Sequence, residues 1–206
     1  MLGNDVVDLA DAETAPGACH SRFDARVFGE RERRRLETAD DPQRMRWILW
    51  AAKESAYKAA RRCDPSAIFS PGRFEVQLDA GLHGRVRYPG GALEVEIELL
   101  GDCVHALATA PPHEPQTLLR GVSMIESGDP SERVRGLAIG ALAQHFDASP
   151  GALSIRNVGR IPQLFLHEVA TAYPLSLAHH GRFVAWACAL HPRTARRAAA
   201  ALEGVA

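Results

Sequence analysis

The hydrophobic period of the chain changes at Pro65, and this change limits the fold more than any other feature. Before it, a segment from about Pro42 to Arg62 carries one helical stripe at positions i, i+4, i+7, i+11 and i+14, formed by Trp47, Ala51, Glu54, Lys58 and Arg61. After it, RFEVQLDA, GRVRYP, ALEVEIELL and CVHALATA alternate, separated by the turn signals GLHG, PGG and GD. We predict a helix followed by an antiparallel meander of about four strands.

The second part of the chain repeats this plan. Asp129-Pro130-Ser131-Glu132 is a strong helix start, and the helix continues through VRGLAIGALAQHF. A strand (LSIRN), a turn (VGRIPQ) and two further strands (LSLAHH, RFVAWACAL) follow, and PRTARRAAAALEG reads as a closing helix. The first part opens with a short buried strand, LGNDVVDLA, and a helical stretch, SRFDARVFGERERRRLE.

These patterns predict an α+β fold made of two similar halves, each a helix packed on a small antiparallel sheet. We assign residues 1–110 to the first half, 111–130 to a proline-rich linker containing APPHEPQ, and 131–206 to the second half. At 206 residues the chain can form one large domain or two small ones, and either arrangement can bury a real core.

Composition restricts the function classes. Apolar residues are 46%, charged residues are 24% and the net charge is -1, which indicates a soluble globular protein without a global attraction to nucleic acid or anionic membranes. No segment reaches the ~20 apolar residues of a membrane span, and the acidic N-terminus does not resemble a signal peptide. Four scattered cysteines favour free thiols, so we expect a cytoplasmic protein.

The chain contains only two lysines, and both lie in WILWAAKESAYKAA: Lys53 and Lys58. Lysine offers a compact ammonium, unlike the forked guanidinium of arginine. On a helix Glu54 and Lys58 are i and i+4 and share a face. This segment alone leaves two interpretations open, a functional ammonium or a surface ion pair worth a few tenths of a kcal/mol.

Three patterns could bind charge. Asp5 and Asp8 lie at the end of the first strand, Glu54 and Lys58 share a helix face, and Gly159-Arg160 and Ala178-His179-His180-Gly181-Arg182 lie in turns. Carboxylates with few other ligand types suit Mg²⁺, whereas Arg, His and turn amides suit phosphate. Together they indicate phosphoryl chemistry on a phosphate-bearing cofactor.

The chain resembles the 4′-phosphopantetheinyl transferases. GNDVVDL is similar to their G-x-D signature and WAAKESAYKA to W-x-x-K-E-[AS]-x-x-K. Residues 131–190 resemble the N-terminal half of the long, surfactin-synthetase-activating type: IRNVGRIPQL is similar to its G-K-P turn, with Arg160 for the lysine, and LSLAHHGRFVAWACA to its S-H-[ST]-G strand, with Ala178 for the serine. The halves stand in swapped order, so the chain resembles a circular permutant.

The resemblance implies a pseudo-twofold enzyme, expected to be a monomer, in which coenzyme A and Mg²⁺ bind between the halves. A serine of an acyl or peptidyl carrier protein attacks the β-phosphorus, the phosphopantetheine arm is transferred and adenosine 3′,5′-bisphosphate leaves. Arg22 and Arg26 would dock the acidic helix of the carrier protein.

The resemblance also implies residue roles. Asp5 and Glu54 would hold Mg²⁺, and Glu54 would help to deprotonate the serine, directly or through a metal-bound water. Lys58 would balance the pyrophosphate charge or protonate the leaving group. The candidates for contacts to coenzyme A are Arg160, His179, Ser176 and Lys53. Val7 stands where the long type has a second acid, whereas Asp8 matches the D-x-x-E spacing of the short type, so the third ligand is either Asp8 or a water.

Two other interpretations remain at this level. The chain could be a non-catalytic module that binds coenzyme A or a carrier protein, or an α+β protein whose motifs match by chance. Trp47, Trp50 and Trp186 are predicted to be core residues, and His105 and His145 packing residues.

Overall fold

The computed structural model describes residues 1–110 and 116–190. The first half contains five strands and three helices: β1 (Leu2–Asp8), α1 (Phe23–Val27), α2 (Glu30–Glu37), α3 (Pro42–Arg61), β2 (Glu75–Leu78), β3 (His83–Tyr88), β4 (Gly91–Leu100) and β5 (Cys103–Thr109). Residues 116–190, the described part of the second half, contain five strands and one α-helix: β6 (Thr117–Met124), α4 (Pro130–Phe146), β7 (Leu153–Val158), β8 (Ile161–Leu166), β9 (Val169–His180) and β10 (Phe183–Leu190).

The two sheets have the same strand order. The first is β1-β5-β4-β3-β2 and the second β6-β10-β9-β8-β7, so in each the first strand pairs with the last. Neighbouring strands are antiparallel in both sheets. The long helix of each half lies between its first and second strand in the chain. The prediction of an α+β fold with two similar halves is confirmed.

Helix α3 begins and packs as its sequence dictates. The Asp41 side chain accepts a hydrogen bond from the Arg44 N–H (2.9 Å), and Pro42 occupies the first turn, where an N–H has no helical partner. Its apolar residues pack on the first sheet, and Trp47 is buried and donates its indole N–H to the Thr14 carbonyl (3.1 Å). Trp186 lies in the second core, so both tryptophans are packing residues as predicted.

The halves meet along strands β1 and β5 of the first and β6, β9 and β10 of the second. Two small apolar clusters fill this contact, one around Leu2 and Leu107 and the other around Val6 and Ala178. Because β1 is an edge strand of its sheet, covering it with the second half also protects that edge.

The structure departs from the sequence predictions in three elements. Strand β6 falls inside the segment predicted as a linker and pairs with β10, so the linker is shorter than predicted. The segment predicted as a turn after LSIRN is a β7–β8 hairpin whose second strand, IPQLFL, was not predicted. The helical stretch after residue 20 is two helices, interrupted where Gly29 adopts an extended conformation.

The predicted closing helix lies outside the described residues. Among the described helices, none is long and apolar enough to cross a membrane.

Candidate active site

The two faces of strand β1 contact different parts of the molecule. Gly3, Asp5 and Val7 face α3: a Cβ on Gly3 would lie 2.1 Å from the Ser55 carbonyl oxygen, and Val7 belongs to the core that α3 covers. The alternate residues face the second half, where Val6 packs with Ala178 and Asp8 contacts Arg182. The glycine of G-x-D therefore lets the helix approach, and the aspartate two positions on points at that helix.

Asp5, Glu54 and Lys58 form an acidic pair with one cation. The Lys58 ammonium lies 2.8 Å from Asp5 Oδ1, and the exposed fractions of the two side chains are 31% and 12%. Burial, with a further contribution from the Asp5 charge, raises the pKa of Glu54 to about 7, and Lys58 only partly offsets this. The ion-pair partner of Lys58 is thus Asp5, on another element, and not its helical neighbour Glu54.

This arrangement suits a divalent cation. The pKa of Glu54 is raised mainly by burial and further by the neighbouring Asp5 carboxylate, and a bound cation would favour the ionised form of both acids. Carboxylate oxygens fit Mg²⁺, which keeps several waters and substrate phosphate oxygens in its coordination shell. Val7, where the long-type signature has an acid, is buried in the core and offers no ligand.

Asp8 does not match its predicted role as a metal ligand. Its carboxylate is 1% exposed and accepts hydrogen bonds from Arg182 Nε (2.8 Å), Arg182 Nη2 (2.7 Å) and the backbone N–H groups of Arg182 and Ala10 (both 3.0 Å). Hydrogen bonds from Arg182 hold the pKa of Asp8 at about 2. With both oxygens already bonded, Asp8 has a structural role.

Lys53, which we predicted to contact coenzyme A, faces the interior of the first half instead. Its side chain is fully buried and pairs with Glu32 (2.8 Å; 2% exposed). The ammonium also donates to the carbonyls of Pro71 and Phe74. Because the Lys53 ammonium has three internal acceptors and no contact with solvent, it has no free N–H group to offer a ligand. Lys53 and Lys58 are five residues apart and project from different faces of α3. Lys53 therefore lies in the core of the first half, whereas Lys58 lies at the candidate site.

A cavity between the halves brings together several predicted site residues. Lys58, Arg160 and Ser176 line a space of about 170 Å³, together with Arg61 and Arg62. A wider cleft of about 650 Å³ is lined by Arg61, Arg62 and the β7–β8 turn that carries Arg160. Cationic side chains from α3 and from that turn therefore line one space, and Lys58 connects this space to Asp5.

The role of the Arg61–Arg62 doublet was not predicted from sequence. Arg61 lies at the end of the α3 stripe, so its position on the site face could have been inferred. Arg62 donates to the Leu2 carbonyl (3.1 Å) and lies 3.4 Å from the Pro162 carbonyl, which only the tertiary structure shows.

The two histidines of AHHG lie on opposite faces of β9. His180 accepts a hydrogen bond at Nδ1 from the Asp8 N–H (3.1 Å), whereas His179 is exposed and does not line the cavity that holds Ser176. The predicted contact of His179 with a phosphate stays a prediction.

Asp11, Glu13 and His180 form a cluster close enough to ligate an ion. Because His180 Nδ1 accepts a hydrogen bond, its proton resides on Nε2, which lies 3.9 Å from Glu13 Oε2. A protonated Nε2 has no lone pair for a metal, so this cluster does not fit one.

Comparison with known proteins identifies the family. A model of the 4′-phosphopantetheinyl transferase superfamily matches residues 1–108, more than half of the chain, and the chain belongs to this superfamily of transferases. No curated protein matches the chain. A similar solved structure is the holo-[acyl-carrier-protein] synthase of Thermotoga maritima, with 15% identity, 82% of this chain and 83% of that chain covered, and a TM-score of 0.37.

Proposed function

We propose that this protein transfers the 4′-phosphopantetheine arm of coenzyme A to a serine of an acyl or peptidyl carrier protein and releases adenosine 3′,5′-bisphosphate. The observation that carries the proposal is the position of Lys58, which pairs with Asp5 next to Glu54 and also lines a cavity with Arg61, Arg62 and Arg160. A site for a cation next to a site for several phosphates suits a pyrophosphate substrate.

Asp5 and Glu54 would hold the Mg²⁺. When bound, the ion would neutralise charge on the pyrophosphate oxygens of coenzyme A. Lys58 would then exchange its carboxylate partner for a phosphate oxygen, because it is part-exposed and lines the cavity. Arg160 and the Ser176 hydroxyl, both in the second half, would contact a phosphate of coenzyme A.

The proton of the carrier serine has an acceptor in Glu54. Without a metal the pKa of Glu54 is about 7, and a bound cation would lower it, so Glu54 would be ionised and able to accept a proton near neutral pH. As the serine oxygen forms its bond to the β-phosphorus, its proton passes to Glu54. The bond from the β-phosphorus to the bridging oxygen breaks, and the electron pair leaves with adenosine 3′,5′-bisphosphate. Lys58 stabilises the charge on that leaving oxygen.

We further propose that residues 1–110 form the metal-binding and catalytic half and that residues 131–206, with β6 added, form the half that binds coenzyme A. The order of the halves would be that of a circular permutant of the long type. Support comes from the identical strand order of the two sheets, which allows either half to come first. We expect a monomeric cytoplasmic enzyme.

Mass spectrometry of apo carrier proteins incubated with coenzyme A and Mg²⁺ tests the proposal. The expected result is the added mass of one phosphopantetheine arm on a serine, absent with EDTA and absent for Glu54→Gln. Glu94→Gln is the matched control, because Glu94 pairs with Arg85 on an exposed part of the first sheet (2.8 Å). Binding of coenzyme A without transfer to any carrier protein would contradict catalysis and favour a binding module.

A further inference from the structure

The end of strand β1 is held by the β9–β10 turn of the second half. Asp8 receives two side-chain bonds from Arg182 and one from the Arg182 N–H, and the Asp8 N–H in turn donates to His180. Arg182 is itself fixed: its carbonyl accepts from the Ile125 N–H (2.7 Å), and its guanidinium also reaches Asp102 (3.2 Å). We call this set of contacts the Asp8–Arg182 clamp.

The turn fits the end of β1 without spare room. Gly181 has a φ of +52°, and a Cβ on it would lie 2.7 Å from Asp8 Oδ2 and 2.9 Å from Asp11 Oδ2. Only glycine satisfies both the backbone conformation and the close approach. A shift of the β9–β10 turn by even one ångström would therefore break its contacts with Asp8 on β1 or push the Gly181 backbone into the Asp8 and Asp11 carboxylates.

The clamp also sets how β9 lies along β1. A second cross-contact joins the Asn4 N–H to the Ser176 hydroxyl oxygen (2.8 Å), and the separations Asn4–Ser176 and Asp8–His180 are both 172 residues. The two strands therefore run side by side in one fixed alignment, and Asp5 lies between the two contacts. If β9 moved by two residues along β1, Ser176 would lose its hydrogen bond from Asn4. The part of β9 that lines the cavity would then no longer lie opposite Lys58.

We propose that the Asp8–Arg182 clamp is a positioning device that holds the wall of the coenzyme A cavity in register with Asp5 and Lys58. This inference rests on the proposed function. Arg182 contacts neither the metal pair nor the cavity lining and so acts through β9. Without the clamp the halves sample other alignments. Only the aligned molecules bind coenzyme A well, so the apparent Kd equals the intrinsic Kd divided by the aligned fraction.

The chain offers a matched control. Arg120 on β6 pairs with Glu96 on β4 (2.9 Å), so it also joins the two halves, but through a strand that carries none of the proposed site residues. Loss of either ion pair weakens the contact between the halves, whereas only loss of the clamp frees β9 from β1.

The experiment compares Arg182→Met, Arg182→Lys and Arg120→Met by calorimetry with coenzyme A and by steady-state kinetics. We expect Arg182→Met to raise the Kd and the KM for coenzyme A about tenfold, with kcat within about threefold of wild type, because bound coenzyme A restores the alignment. Arg182→Lys keeps the charge but not the two-pronged contact and should recover only part of the loss. Arg120→Met should leave the Kd within about twofold.

Hydrogen exchange provides a readout that is independent of coenzyme A. The N–H groups of Asn4 and Asp8 bond across to β9, and we expect them to exchange at least about tenfold faster in Arg182→Met, whereas the N–H groups of β6 should not change. An unchanged Kd together with unchanged exchange in Arg182→Met overturns the proposal, as does an equal effect of Arg120→Met. If Arg182→Met does not fold, Arg182→Lys decides by the same two measurements. If wild-type protein neither binds nor uses coenzyme A, the proposed function fails, while exchange still reports whether the clamp aligns the strands.

Discussion

Strand β1 carries an aspartate on each face, and the two have opposite surroundings. Asp5 faces α3, its side chain is 12% exposed, and Lys58 is its ion-pair partner. Asp8 faces the second half, is 1% exposed and has its carboxylate filled by Arg182 and Ala10. One face of a single strand thus provides the candidate chemistry, and the other joins the halves.

The difference shows what distinguishes a carboxylate that is available to a ligand from one that is committed to the fold. A carboxylate that already accepts several hydrogen bonds would lose them on binding an ion, and that loss opposes binding. A carboxylate with one part-exposed ammonium can exchange it for a metal, because solvent screens the ammonium once it leaves. Spacing along β1 does not separate these cases, but the partners do.

The largest expected effect is the loss of transfer when Asp5 is replaced, compared with the replacement of Asp8. Asp5→Asn keeps the shape of the side chain and removes its charge, so transfer should fall by about 10²–10³-fold in single-turnover assays, comparable to the loss of one preorganised group. Asp8→Asn should reduce transfer far less but lower the midpoint of urea unfolding. If Asp8→Asn has the larger effect on transfer while Asp5→Asn stays active at limiting Mg²⁺, the roles of the two faces are reversed.

Lys58→Arg tests whether the ammonium itself matters. The guanidinium keeps the charge but is broad and planar, and the cavity that Lys58 lines is only about 170 Å³. We expect kcat to fall by about 10²-fold with the fold intact by circular dichroism. Full activity of this variant would mean that Lys58 only balances the charge of Asp5.

Gly3→Ala alters the close approach on the α3 face of β1. A Cβ there would lie 2.1 Å from the Ser55 carbonyl oxygen and 2.5 Å from the Ala59 nitrogen, which are backbone atoms that cannot move aside cheaply. We expect a loss of about 1–3 kcal/mol of unfolding free energy in urea, as for overpacking.

Gly136→Ala is the matched control for Gly3→Ala. Gly136 is in helix α4 and has open space around its Cβ position, so the change should stabilise by about 0.5–1 kcal/mol. Equal behaviour of the two alanine variants would contradict the close contact at Gly3.

Much of the fold could be predicted from sequence because it follows from local signals. The helical stripe that starts at about Pro42 and the Asp129–Pro130 start predicted where α3 and α4 begin, and alternation identified the meander. Strand β8 was missed because IPQLFL has a proline and no alternation. Strand β6 was missed because the proline-rich segment before it suggested a longer linker.

The site was predictable in its residue types but not in its pairings. The motif named Asp5, Glu54 and Lys58, and helical spacing placed the last two on one face of α3. Helical spacing could not show that Lys53 turns into the core toward Glu32, because that contact depends on how α2 packs on α3. The Asp8–Arg182 contact spans 174 residues, and no local pattern reports it.

We also expect a pH dependence of stability that differs in sign between the two faces of β1. Folding raises the pKa of Glu54 to about 7 from 4.5, so the folded state binds its proton more tightly than the unfolded state does. In EDTA, stability should therefore fall as the pH rises from about 5 to 7, by about 1–2 kcal/mol, which is less than the full shift implies because solvent partly screens the carboxyl. Asp8 acts in the opposite direction: its pKa of about 2 lies below the ordinary 3.8, so its contribution is present above that value and is lost as the pH falls toward 2. Urea unfolding of wild type and Glu54→Gln across this pH range separates the contributions of Glu54 and Asp8. The glutamine variant should lose the fall in unfolding free energy between about pH 5 and 7 but keep the loss of stability toward pH 2. Parallel curves for the two proteins between about pH 5 and 7 would show that Glu54 titrates at its ordinary value and is not poised to accept a proton near neutral pH.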